Sequence, residues 1–356
     1  MSERTAKIED KEAVIQLFRK RFLFIVAMAV AAILMIGAVI TIGPADLGFW
    51  EVYQILIDQL FPGTFEYSRT HELIVTGIRG PRVLMGLFVG MILAIGGCII
   101  QSVLRNPLAT PYTLGISSSA GFGAALAIAF GFSLSGSTIG IIVSAFIFSM
   151  IPVSVIIMAS SRRGVTPVTM VLCGVAVSQI FGACNTIIQY FTSSDYTKEI
   201  VFWSVGSLNN SSLWMIPYVA ITAFIFAAVA LYLSRDLNIM KMGDDTAESL
   251  GIHVKRVRMI SIILSCVCTA VAVAFTGSIG FICLIAPHLC RIVIGGDLKY
   301  LIPASALAGA ILLIGADTIG RTIISPIILP VGAITALIGG PLLIYMLLRK
   351  RGAISV

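Results

Sequence analysis

The run from Phe22 to Ile42 carries no charged residue, and about 21 residues of helix cross a hydrocarbon core about 30 Å thick. Lipid offers no hydrogen bonds, so such a segment must satisfy its backbone internally, and a helix does so. A cleaved secretory signal has a shorter apolar centre and a small-residue cleavage site. This run therefore predicts an uncleaved first span behind the basic Arg19, Lys20 and Arg21. Comparable stretches follow at 82–104, 113–131, 138–159, 168–191, 213–234, 259–276, 278–294, 301–316 and 330–348. The expectation is an all-α, polytopic membrane protein with about ten transmembrane helices. A polar segment 1–21 precedes one membrane domain, 22–348, which includes a polar loop at 235–258, and a tail 349–356 follows.

Composition agrees: 58% of residues are hydrophobic and 12% charged, against about 45–50% and about 25% in soluble domains. A soluble enzyme, a disordered chain and a disulfide scaffold are excluded. The formal charge of +7 reads as the cytoplasmic excess of basic residues in membrane proteins. Arg105, Arg162, Arg163, Lys241, Lys255, Arg256, Arg258, Arg291, Lys299, Arg349, Lys350 and Arg351 fall on one side of the ten-span order. Segment 43–78, on the other side, has Asp46, Glu51, Asp58, Glu66 and Glu72 against Arg69. Both termini are thereby expected in the cytoplasm. No Lys/Arg run is interleaved with aromatics as a nucleic-acid groove requires, so no nucleic acid is expected.

The seven cysteines lie in apolar stretches and read as small hydrophobes. Cys283 and Cys290 share a helical face near His288, but their spacing fits no common zinc pattern. No metal site is expected. His288 itself reads as a histidine satisfied by a neighbouring helix, with proton relay unsupported by any nearby carboxylate. Gly86, Gly90, Ala94 and Gly97 recur at the spacing that lets helices approach closely in lipid.

Three polar regions exceed what packing needs. The first runs from Arg105 to Gly121, where Pro107 and Asn106 force a turn and Ser117, Ser118 and Ser119 open the next helix. In the second, 235–258, Asp245 and Glu248 have capping-box spacing, which predicts a short helix with Asp245 as its N-cap. Ala247, Leu250 and Val254 form its apolar stripe, and Gly251 ends it. Such a helix has nothing of its own domain to bury against. It lies on the bilayer or docks in a groove of a soluble partner, the latter being favoured. The third region is Arg79, Arg82 and Arg321 on the outer side, against the positive-inside bias. Asp317 stands four residues before Arg321, so a local ion pair and an acidic external partner are both open readings.

Together these regions resemble the permeases of type II ABC importers, the family that takes up iron–siderophore complexes, haem and cobalamin. The likeness is densest in Arg79–Arg82, Gln101–Gly121, Gly277–His288, Ala316–Arg321 and Leu329–Pro341. It implies a cobalamin-permease-like bundle, paired as a homodimer, above two cytoplasmic ATPase subunits that bind ATP and magnesium. An extracytoplasmic binding protein docks on top. Carried over, Arg79, Arg82 and Arg321 meet that binding protein, and Asp245, Glu248, Leu250, Gly251 and Ile252 meet the ATPase. Asn106, Pro107 and Leu108 with Thr166, Pro167 and Val168 form the cytoplasmic gate. Thr186, Gln189, Tyr190 and Ser193 are candidates for the pathway lining. The chain shows no catalytic motif and no cofactor site, so transport without chemistry is the expectation, with a ferric siderophore or related iron complex as cargo. Cobalamin or haem is the alternative. An ion-coupled secondary transporter is the competing class, and it calls for mid-membrane carboxylates that the chain lacks.

Overall fold

The computed structural model describes residues 2–43, 45, 47–59, 61–131, 138–163, 166–324 and 326–348. The tail 349–356 and Asp46 lie outside them, as do the side chains of Arg162 and Arg163. Every regular element among the described residues is helical. In chain order the helices are α1 (Ser2–Thr41), α2 (Phe49–Asp58), α3 (Arg69–Leu73), α4 (Gly80–Val103), α5 (Ile116–Phe130), α6 (Thr138–Arg163) and α7 (Pro167–Phe191). They continue with α8 (Ser194–Val205), α9 (Ile216–Met240), α10 (Asp244–Ser249), α11 (Val254–Thr276), α12 (Ile282–Ile294), α13 (Leu298–Thr322) and α14 (Val331–Leu348). Seven helical segments are long and apolar enough to span a membrane, and three shorter apolar ones, in α5, α12 and α14, complete the ten expected positions.

The bundle is built around α4, which packs against α1, α9, α11, α12 and α13 and is buried along nearly its whole length. Two glycines make this possible. A side chain at Gly90 would collide with the backbone of Gly309 in α13, and one at Gly97 with the carbonyl of Cys283 in α12. The small-residue spacing thus sets real backbone contacts, which in lipid replace the hydrophobic drive to associate.

The helices α5 and α12 are shorter than the spans read from the sequence. At 1.5 Å per residue they measure about 22 and 20 Å, less than a bilayer core of about 30 Å. The missing length is irregular backbone. After α4 the chain turns back on itself, so that Pro111 packs against Gly96, about 10 Å inside the Val103 end of that helix. The stretch 277–281 ahead of α12 is likewise non-helical, with Gly277 at φ +72° and Phe281 at φ +64°. The two segments meet and satisfy each other: Tyr112 Oη donates to the Ile279 carbonyl (2.9 Å) and Ser117 Oγ lies 2.6 Å from Ser278 Oγ. Non-helical backbone at such depth is tolerated because protein encloses it. Ser119 is buried and bonds back to the Gly115 and Ile116 carbonyls, so its hydroxyl serves the helix start.

The segment between the first two spans is folded, which the sequence reading does not anticipate. Tyr53 of α2 inserts its hydroxyl between the Ile33 carbonyl (2.6 Å) and the Gly37 N–H (3.2 Å) of α1. Glu51 and His71 meet at 2.5 Å, joining α2 to α3. The Asp58 carboxylate accepts from Tyr67 Oη (2.5 Å) and from the N–H groups of Thr64 and Phe65.

Candidate functional site

The polar loop expected at 235–258 is mostly helix: α9 runs on to Met240 and α11 begins at Val254, leaving the six-residue α10 between them. Its capping corrects the sequence expectation. Gly243 is the N-cap, with no side-chain cap bond, and Asp245 lies inside the helix. The C-terminus is as expected: Gly251 takes φ +85° and the Ile252 N–H reaches back to the Ala247 carbonyl at 3.0 Å, a Schellman ending. The predicted apolar stripe does not form. Ala247 and Val254 are buried against the bundle, which does give α10 a surface of its own domain, while Leu250 is 62% exposed. Asp245, Glu248 and Leu250 therefore face outward, beside an open groove of about 620 Å³ lined by Glu248, Gly251, Ile252 and residues 253–256.

The first residue of α10, which the motif reading passes over, is its anchor. Asp244 accepts two bonds of 2.9 Å from Arg258 of α11 and one of 2.5 Å from Arg105. Burial alone would raise the Asp244 carboxyl pKa. The hydrogen bonds and charges of Arg258 and Arg105 outweigh that and hold it below its ordinary value. Arg105 also donates to the Met240 carbonyl at the end of α9. It ends α4 in a left-handed conformation, φ +48°, and leads straight into the expected gate turn. There Asn106 Oδ1 accepts from the Leu108 N–H (2.9 Å) and the Ala109 N–H donates to the Asn106 carbonyl (3.1 Å). Asn106 and Leu108 are exposed and Pro107 is half-buried.

The second expected gate segment belongs to the same end of the bundle. Thr166 caps α7 by accepting from the Thr169 N–H at 3.2 Å, and Pro167 occupies the first turn. Val168 is 68% exposed. The helix packs through Gly174 on the Pro111–Leu114 turn, and both contacts lie about 10 Å in from that end. Further along α7, Thr186 and Tyr190 are exposed on one helical face, with Ser193 one turn on and Gln189 half-buried. The Thr186 hydroxyl bonds to the Gly182 carbonyl at 3.1 Å, so that face shows chiefly methyl groups, aromatic edges and hydroxyls.

At the opposite end, Asp317 is the centre of the arginine group. Arg82 grips it with two bonds of 2.8 Å and also donates to Asn209 Oδ1 at 2.5 Å. Arg321 is its weaker partner at 3.4 Å. The local i, i+4 pair read from the sequence exists, but the stronger partner comes from the second span. Arg79 departs from expectation. It is 8% exposed, and its Nη1 donates to the carbonyls of Ile40 (2.7 Å) and Thr41 (3.2 Å), closing the end of α1. Arg79 is thus a helix cap turned inward, while Arg82 and Arg321, 12% and 15% exposed, close on Asp317. Among the described residues no three His, Cys, Asp or Glu side chains gather as a metal site.

This arrangement has known counterparts. A haemin transport system permease of Yersinia pestis is 39% identical over 77% of this chain and 83% of its own. An iron(3+)-hydroxamate import permease of Bacillus subtilis is 33% identical over 92% of this chain and 84% of its own. A solved inward-facing chain, assigned to an ABC transporter of metal-chelate type, superimposes with a TM-score of 0.81 at 28% identity over 92% of this chain and 99% of that one. The model of the FecCD transport family matches residues 23–349. The ten apolar segments, the short helix α10 and the arginine group around Asp317 accordingly belong to a member of the FecCD transport family, a permease of the type II ABC importers.

Proposed function

We propose that this chain is the translocating subunit of an ATP-driven importer that carries a ferric siderophore or related iron complex into the cytoplasm. It works as a pair of permease copies in the plasma membrane. Two ATPase subunits sit on the α10 face, and an extracytoplasmic binding protein sits on the Arg82–Arg321 face. Both chain ends lie in the cytoplasm. ATP and magnesium are bound by the ATPase, and this chain holds no cofactor. The observation that carries this reading is the placement of two charged clusters, Arg82–Asp317–Arg321 and Arg105–Asp244–Arg258, at the two ends of α4, with the turn 106–108 directly attached to the second. Binding energy at either end thereby biases an equilibrium between inward- and outward-open states.

The buried acidic side chains, among the described residues, support an ATP-driven mechanism over an ion-coupled one. They are Asp58, in the folded outer segment, and Asp317, which is neutralised by arginine near the end of α13. A proton- or sodium-coupled carrier needs a carboxylate at mid-depth. Two of the relatives are named for iron compounds, which supports the iron assignment, as does the neutral face of α7, which offers a bulky chelate no fixed charge to stick to. Haem and cobalamin, for which other relatives are named, are the alternative cargoes. Uptake of a radiolabelled ferric hydroxamate into proteoliposomes holding the whole complex, competed by unlabelled haemin and cobalamin, tests the choice. Saturable hydroxamate uptake unaffected by either competitor is the expected result. Uptake of haemin or cobalamin alone would replace the cargo.

A further inference from the structure

The anchor of α10 and the gate turn share one side chain. Arg105 is the last residue before Asn106, and its guanidinium holds the first residue of α10, Asp244, at 2.5 Å. Its backbone is what makes the contact informative. Helix α4 ends as a Schellman motif, with the Asn106 N–H on the Gln101 carbonyl at 3.1 Å and Arg105 in the left-handed position at φ +48°. Glycine is the usual occupant of that position, and an L-residue there is strained. A structural turn alone would be better served by glycine. Strain of this kind persists where the surroundings over-determine it, and it is a pointer to function. The arginine side chain, 38% exposed, spends its guanidinium among the described residues on Asp244 and the Met240 carbonyl. Beyond it, the Asn106–Leu108 and Asn106–Ala109 bonds make the gate turn one compact unit. Asp244 extends the link to Arg258, a buried residue of α11.

We infer that Arg105 is a positioning residue that ties the ATPase-facing helix α10 to the gate turn 106–108 through Asp244, so that displacement of α10 moves the gate. This rests on the importer reading above. It does not require the cargo to be known.

The variant Arg105→Gly separates the side chain from the backbone, because glycine suits the left-handed position and keeps the turn. In the reconstituted complex of permease, ATPase and binding protein, the readout is the ratio of binding-protein-stimulated to unstimulated ATP hydrolysis. A merely structural defect lowers both rates together and leaves this ratio alone. The expected result for Arg105→Gly and for the isosteric Asp244→Asn is a fall in the ratio of about fivefold, equivalent to about 1 kcal/mol. The KM for ATP stays at the parental value, since the nucleotide binds on another chain, and Arg105→Lys recovers most of the ratio. Parental ratios in both Arg105→Gly and Asp244→Asn would overturn the inference while leaving the importer reading intact. A parent complex whose hydrolysis ignores the binding protein would overturn the importer reading, and this inference with it.

Discussion

Arg82 and Asp317 face each other across 235 residues of sequence with Nε and Nη2 each 2.8 Å from a carboxylate oxygen. The pair joins the N-terminal end of α4 to the C-terminal part of α13, the two helices that also meet backbone to backbone at Gly90 and Gly309. Bidentate arginine–carboxylate contacts are both strong and geometrically strict. Asp317 is nearly buried, at 4% side-chain exposure, and Arg321 approaches the same Oδ2 that Arg82 Nε holds. Replacing it with asparagine leaves two guanidinium groups confronting each other without a counter-charge, and is expected to cost about 3 kcal/mol. Arg82→Ala should cost less, because Arg321 remains within reach. Denaturant unfolding of the purified variants checks the order; an Asp317→Asn protein as stable as the parent would contradict it.

The three outer arginines should separate into two behaviours. Arg321→Gln, which leaves the bidentate Arg82–Asp317 pair in place, is expected to weaken binding-protein affinity and to flatten its salt dependence, since charges near the surface act over about 10 Å at 0.1 M salt. Arg79→Ala should leave docking unchanged and instead destabilise the end of α1, where two carbonyls lose a charged donor worth about 1.5–3 kcal/mol. Affinity measured against ionic strength, beside unfolding of each variant, reads both effects. Equal loss of docking in both variants would contradict the inward assignment of Arg79.

At the other end of the bundle, Leu250 projects from α10 at 62% exposure and Gly251 holds φ +85°. Leu250→Glu should uncouple uptake from ATP hydrolysis while leaving the fold intact, because the side chain touches little of its own chain. Gly251→Glu adds backbone strain of about 1 kcal/mol to the same loss. Uptake per ATP at the parental level in Leu250→Glu would remove this residue from the ATPase contact.

The folded outer segment should respond to pH through Asp58. Tyr67's hydrogen bond is the largest influence on its carboxyl, with burial opposing and the Thr64 and Phe65 N–H groups adding to it, and the net pKa is lowered. A carboxylate with a depressed folded pKa contributes stability that is present above its unfolded value, about 4, and lost as pH falls through the folded one. The same contact pushes Tyr67 up to about 12, so its contribution is whole below about pH 10 and fades as pH rises toward that value. The hydrogen-exchange protection of the 61–67 amides, taken relative to the intrinsic exchange rate at each pH, should be flat between these limits and fall below about pH 4. Asp58→Asn should abolish the acid-side loss of protection; an unchanged profile would contradict the assignment.

The ten spans were legible because lipid demands both length and apolarity, a constraint visible residue by residue in runs such as 22–42. Gly90 and Gly97 were legible for a related reason, since small residues at helical spacing matter most where helices touch. The shortness of α5 and α12 was hidden because the turn at Asn106 and Pro107 reads as lying ahead of the span, and the stretches 111–115 and 277–281 leave the helix by meeting each other, through Tyr112 and Ile279. Asp244 was missed for the opposite reason. Its neighbours spell a plausible capping box at Asp245, while its partners, Arg105 and Arg258, are brought to it by tertiary packing. Arg79 shows the same limit, since Arg-Gly-Pro-Arg reads as two equivalent cations and only the position of α1 turns one of them inward.

The most direct test of the account is solute accumulation in proteoliposomes containing this permease, its ATPase and its binding protein, with ferric chelates, haemin and cobalamin offered outside. The account predicts accumulation of an iron complex that requires both internal ATP and the binding protein. Accumulation without ATP, driven by an imposed proton or sodium gradient, would contradict it.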